Sequence, residues 1–316
     1  MLFSPKPMHI PDGFLNLPVS IVFWVVSICV IAIALRKTSK QLGEKEIPLV
    51  GILAAAIFAG QMLNFTVTGG TSGHLLGAAL ATVLLGPWAA VLVMTSVVSI
   101  QAILFQDGGI IALGANLFNM AIVGVFVSYA VLTFTKKLFK NEKFSIFFGS
   151  GLSAWTSILF ASLACALELA VSGTSPANIA IPAMAGIHAL IGVGEAAITV
   201  GAVSFIYASR KDLLMKNTVE GKPVKGILIG GGVIALVLAI LSPLASSHPD
   251  GLEWVAEQKG FLSNAQPALY NIIPDYLLPG LSNEAVATIL AGIIGAVVVF
   301  GVAFGVAKTR KKPINE

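Results

Sequence analysis

Residues 18–35 read PVSIVFWVVSICVIAIAL, a stretch with no charged side chain, and Arg36 and Lys37 follow it at once. A helix needs about 20 predominantly apolar residues to cross a hydrocarbon layer about 30 Å thick. This stretch therefore reads as a membrane span, and further apolar runs repeat the pattern: Ile47 to Val67, Leu75 to Leu85, Pro87 to Phe105, Ile110 to Phe134, Phe144 to Val171, Ile179 to Ala208, Lys225 to Leu244 and Glu284 to Ala307. The chain of 316 residues is 56% hydrophobic and only 11% charged, with a mean hydropathy of +0.91, which no soluble globular domain of ordinary composition matches. The fold class expected is all-α, a polytopic membrane protein of about nine spans, seven and then two. Leu75 to Leu85 is the short member, abutting Pro87.

The formal net charge of +4 is informative by position. Apart from Lys6 and Lys259, the basic residues fall into four clusters: Arg36 to Lys45, Lys136 to Lys143, Arg210 to Lys225 and Lys308 to Lys312. The positive-inside bias assigns all four to the cytoplasm, which disfavours a nucleic-acid surface. Span parity agrees if Leu75 to Leu85 counts as a crossing. The N-terminus is then outside and the C-terminus cytoplasmic. The outer surface receives residues 1–17, 68–74 (TGGTSGH), 106–109 (QDGG), 172–178 (SGTSPAN) and 245–283.

Residues 210–223 are polar and contain Gly221 and Pro223, so they read as a cytoplasmic linker between a module at 8–209 and another at 224–316. Within the second, Pro249-Asp250-Gly251 opens LEWVAEQK and Gly260 closes it, the start and stop signals of a short helix. Small residues pervade the spans and favour close helix packing in lipid. Cys29 and Cys165 lie inside apolar runs and read as packing residues.

The chemistry concentrates in four histidines. His9, His74 and His248 fall on the outer side, and His188 lies within a span. His9 follows Met8 in MHIPDGF. A chain-terminal amine, the next amide nitrogen and a second-position imidazole chelate a divalent ion through fused rings. A further imidazole, such as that of His74, completes a tetragonal nitrogen set of the kind preferred by Ni(II) or Cu(II) over Mg or Ca. This set requires Met8 to be the first residue, so the extension MLFSPKP is expected not to belong to the mature chain. The plainer alternative is a polar terminus beside a glycine-rich turn.

Asp107 and Asn116 border the same surface, either orienting an imidazole N–H and pinning the loop, or simply shaping a turn. His188 and Glu195 are seven apart, about two helical turns and hence on one face; they read first as an interhelical hydrogen-bonded pair and second as a polar relay. Glu168 is read the same way. Asp250, Glu253 and His248 read as a helix cap with solvated charges before a second metal site.

The stretches MHIPDGFL (8–15), TSGHLLG (71–77), QDGGIIALGANLFNM (106–120) and AGIHALIGVGEAAIT (185–199) resemble the CbiM/NikM substrate-capture components of cobalt and nickel energy-coupling-factor transporters. HPDGLEWVAE (248–257) resembles the PDGLE signature of their small N-type component, here fused behind the M-type module. The resemblance implies a metal held by the amine of Met8, the amide and imidazole of His9 and the imidazole of His74. It also implies a prokaryotic cytoplasmic membrane, Ni(II) or Co(II) as transported substrate with nickel favoured, and two kinds of partner, a T-type transmembrane coupler and cytoplasmic ATPases. The chain has no G-x-x-x-x-G-K-[ST] motif to hydrolyse ATP itself and is expected not to be an enzyme. An ion-driven permease or channel is the alternative function, and an intramembrane enzyme using His188 and Glu195 ranks below it.

Overall fold

The computed structural model describes residues 8–39, 42–43, 46–214 and 224–309. The expected extension 1–7, most of the expected linker, and Lys40, Lys45, Lys216, Lys222, Arg310, Lys311 and Lys312 lie outside these residues. The protein is mostly helical. In chain order the first module contains α1 (Leu17–Thr38), α2 (Glu46–Gln61), β1 (Phe65–Val67), β2 (Thr71–Gly73), α3 (Ala78–Leu85), α4 (Pro87–Phe105) and α5 (Leu113–Leu117). A π-helical stretch, Phe118–Val123, joins α5 to α6 (Gly124–Leu138), and α7 (Glu142–Val171) and α8 (Ala177–Ser209) follow. The second module contains α9 (Val224–Leu241), α10 (Gly251–Lys259) and α11 (Glu284–Thr309).

Among the described residues, seven helical segments are long and apolar enough to cross a membrane, against the nine runs read from sequence. The two that differ are physically distinct cases. The run Ile47 to Val67 is not one helix: α2 stops at Gln61, and Phe65 to Val67 pair antiparallel with Thr71 to Gly73, Phe65 opposite Gly73. Hydropathy alone does not separate apolar strand from apolar helix. The eight residues of α3 rise only about 12 Å, so α3 does not span as a helix by itself. The buried, non-helical Leu75 to Gly77 extend it. Irregular backbone is tolerated at membrane depth only where protein satisfies it, and here the Glu195 carboxylate accepts from the Leu76 amide at 2.7 Å and the Gly77 amide at 3.1 Å.

The core is built on α2 and α4. Val50, Ala54, Phe58 and Ala59 on α2, and Ala90, Val93, Val97 and Val98 on α4, are essentially inaccessible, as expected of helices apolar on every face. By contrast, α1 keeps Ile21, Val22, Val25 and Ile28 exposed, a face suited to lipid. The two modules pack through small residues. A Cβ built on Gly51 meets the Phe300 and Phe304 side chains at 3.1 Å, and one on Gly295 meets Phe58 at 2.2 Å, so α11 lies close against α2.

Candidate metal centre

The N-terminal segment from Met8 to Asn16 contains no helix, yet Met8, His9, Ile10, Asp12, Phe14 and Leu15 are buried. Buried backbone of this kind needs partners, and side chains from distant loops supply them. Asn116 accepts from the Ile10 amide at 3.0 Å and donates to the Ile10 carbonyl at 3.1 Å. Asp12 Oδ1 accepts from the Ile111 and Ala112 amides at 2.9 and 3.0 Å. The Gly109 amide donates to the Ile10 carbonyl at 2.9 Å. This approach is so close that a Cβ on Gly109 would lie 2.0 Å from Asp12 Oδ1, which makes glycine obligatory there. Thr174 donates to the Phe14 carbonyl, and Asn16 caps α1 through the Val19 amide.

This clamp fixes the metal-binding candidates. The Met8 nitrogen donates to Asp107 Oδ1 at 2.6 Å, and His9 Nδ1 lies 2.8 Å from the same oxygen. His9 and His74, distant in sequence, face each other with ring centroids 6.0 Å apart in an edge arrangement. His74 Nδ1 is 3.1 Å from the Leu75 carbonyl, so Nδ1 carries the proton there and the Nε2 lone pair is available. His9 Nε2 is buried with no hydrogen-bond partner among the described residues.

Electrostatics separate the two rings. Burial opposes charge on both. For His9 the Asp107 carboxylate outweighs burial and raises its pKa above 6.5. His74 has no such partner, and burial followed by the His9 charge lowers it to about 4. At neutral pH His74 is thus a ready neutral donor, whereas His9 holds a proton more tightly than a free imidazole does, and that proton competes with metal. Asp107 is also buried, but His9, the Met8 amide and Tyr276 together hold its pKa below the usual value.

A cavity opens beside Met8, His9 and His74 and is also lined by Cys165, His188 and Asp250. His188 and Glu195 are neither bonded to one another nor arranged as a relay. Two turns separate them by about 10 Å along the axis; His188 Nδ1 donates to the Met184 carbonyl one turn back at 2.8 Å, while Glu195 holds the start of α3. Glu168 accepts from Asn119 at 2.8 Å, across to the π-helical stretch. Asp250 does cap α10, accepting from the Glu253 amide at 2.6 Å. Contrary to a solvated cap, however, it is buried, and burial raises its pKa to about 8. The exposed side chain of His248 is not in the cavity.

Among the described residues, no three His, Cys, Asp or Glu side chains form a metal-binding group.

Residues 9–213 match the family described as the cobalt uptake substrate-specific transmembrane region, CbiM, and residues 225–312 match the PDGLE domain. The chain belongs to the CbiM family. A putative fused nickel transport protein NikMN of Archaeoglobus fulgidus is 39% identical over 96% of this chain and 98% of its own length. A cobalt transport protein CbiM of Sorangium cellulosum is 33% identical over 66% of this chain and 94% of its own. A solved structure described as a truncated transition metal transporter is 36% identical, with a TM-score of 0.58, over 64% of this chain and 99% of that chain. The likeness is to transporters rather than enzymes.

In this CbiM-family protein the PDGLE domain forms one wall of the site. Ser72 on β2 donates its amide to the Pro249 carbonyl at 2.8 Å and its hydroxyl to the His248 carbonyl at 2.9 Å. A Cβ on Gly251 would lie 2.8 Å from His188 Cε1 and 3.0 Å from its Nε2, so α10 starts close against that ring. Farther along, the Gln266 amide donates to the Asp12 carbonyl at 2.7 Å, and Phe261 meets Phe14 edge-on at 5.3 Å. Sequence reasoning missed Asp12, Gly109, Asp250 and Tyr276 as parts of the centre. One signal was present: Pro-Asp-Gly occurs at both 11–13 and 249–251, and in both copies the aspartate binds amides. Tyr276 carried no local signal.

Proposed function

We propose that this protein captures Ni(II), with Co(II) as the second ion, at the outer face of the cytoplasmic membrane. It then serves as the substrate-specific component of an ATP-driven importer. The observation that carries the reading is the convergence of the Met8 nitrogen, His9 and His74 on one spot, the chain returning 65 positions after His9 to bring the second imidazole there. With a free amine at Met8 these groups supply four nitrogens, a tetragonal set. The His9 amide and imidazole and the Met8 amine release their protons to solvent on loading, and Asp107, already bonded to the Met8 nitrogen and His9 Nδ1, holds these two donors side by side beforehand.

Nickel is favoured over cobalt by module organisation. Relatives matching over most of the chain, in Archaeoglobus fulgidus and Rhodobacter capsulatus, carry nickel in their descriptions, whereas the cobalt-described Sorangium cellulosum relative matches only 66% of the chain. The energy source is a pair of cytoplasmic ATPases joined through a T-type membrane coupler, because the chain lacks a P-loop.

The test is Ni(II) uptake by right-side-out membrane vesicles containing the native partners. Uptake is expected to require ATP inside and to vanish in His9→Ala and His74→Ala. Equal uptake without ATP, or by the purified chain alone in liposomes, would favour a permease and overturn the importer reading.

A further inference from the structure

Asp107 has two carboxylate oxygens with different duties. Oδ1 holds the Met8 nitrogen and His9 Nδ1. Oδ2 accepts from the hydroxyl of Tyr276 at 2.6 Å, a residue of the second module. That hydroxyl in turn accepts from Gln101 Nε2 on α4 at 3.1 Å. We propose that Tyr276 is a positioning residue for metal capture, acting through Asp107 to hold the Met8 nitrogen and His9 Nδ1 side by side for the incoming ion, which then takes the place of Asp107 on them. The inference rests on the metal site proposed above and adds to it a contribution from the second module.

Three observations support a built arrangement rather than incidental packing. The Tyr276 side chain is wholly buried, stacked on Phe105 with centroids 4.7 Å apart and planes 15° apart, so the ring cannot swing. The chain delivering it is anchored just upstream, where the Ile273 amide donates to the Leu104 carbonyl at 2.9 Å. Finally, Asp275 and Tyr276 both adopt left-handed backbone, at φ 53° and 57°. This conformation is costly for a bulky aromatic residue and persists only where the surroundings over-determine it. Its effect is to turn the tyrosine inward from a segment whose residues 263–272 are exposed. A hydroxyl fixed in this way leaves the carboxylate one orientation, with Oδ1 toward the capture segment. Without it, Oδ2 is a buried acceptor lacking this donor, and the carboxylate is free to rotate away from Met8 and His9.

The experiment uses the chain from Met8 to Glu316, purified in detergent and titrated with Ni(II) against a competing chelator while the visible absorption of the bound ion is recorded. Tyr276→Phe keeps the stacked ring and removes one oxygen. It is expected to bind Ni(II) about ten- to a hundredfold more weakly, the range typical when a group orienting a metal ligand is lost, with a shifted absorption band. On an Asp107→Asn background the same substitution is expected to add little, because the hydroxyl acts only through the carboxylate. Wild-type affinity and spectrum in Tyr276→Phe, or a full additional loss on the Asp107→Asn background, would overturn the proposal. His9→Ala separates the two readings. If it fails to bind while Tyr276→Phe binds normally, only the role of Tyr276 falls. If it binds like the wild type, the metal site falls and the role of Tyr276 with it.

Discussion

Two stretches without a helix cross the same end of the bundle, residues 8–16 of the first module and 265–272 of the second, and they are built on opposite terms. Along the first, most residues are buried and side chains from remote loops bind its backbone; along the second, every residue is exposed, Leu269 at 84%. The second is tied down at few points, the Gln266 amide on Asp12 and the Ile272 amide on Gln106 among them. Irregular chain becomes a binding site when its amides and carbonyls are claimed by fixed partners, because donor atoms on the same backbone are then held still. Exposed chain of similar length serves as a strap that carries one anchor, Tyr276, to the interior.

The buried N-terminal segment is most vulnerable at Gly109. Gly109→Ala places a methyl within 2.0 Å of Asp12 Oδ1, which expels Asp12 from the Ile111 and Ala112 amides and leaves buried donors unpaired at about 1–3 kcal/mol each. Nickel loading by elemental analysis is expected to fall to background and the melting temperature to drop. Retained loading would show that the clamp is not needed.

A smaller effect sharpens the same contrast. Burial opposes charge on His9, but Asp107 outweighs it and raises the pKa, so protons compete with metal for this ring from above pH 6.5 downward. His74, at about 4, adds no competition until far lower. Nickel affinity is therefore expected to weaken as pH falls through the raised pKa of His9. In Asp107→Asn, which removes the raising charge, the onset is expected to move to lower pH. An unchanged onset would contradict the assignment of His9.

Much of this was legible in the sequence, and the limits have physical causes. Apolar runs gave the long helices to within a few residues, Pro87 to Phe105 among them, because hydrocarbon length and helix rise leave little freedom. The Ile47 to Val67 run was misread at its end because Phe65 to Val67 are apolar in a hairpin for the same reason they would be in a helix. His9 and His74 were recognisable by residue type and shared side. The partners of Glu195 were not, since a carboxylate binding amides 118 and 119 residues away leaves no trace in local pattern. Tyr276 is the extreme case, because its role arises from two backbone angles and a stacked ring.

The most direct test of the metal centre is X-ray absorption at the nickel edge on the chain from Met8 to Glu316. Four nitrogen neighbours in a tetragonal arrangement, with the scattering signature of two imidazoles and no sulfur, are the result predicted. Six oxygen-rich neighbours, or a sulfur neighbour from Cys165 or a methionine, would contradict it.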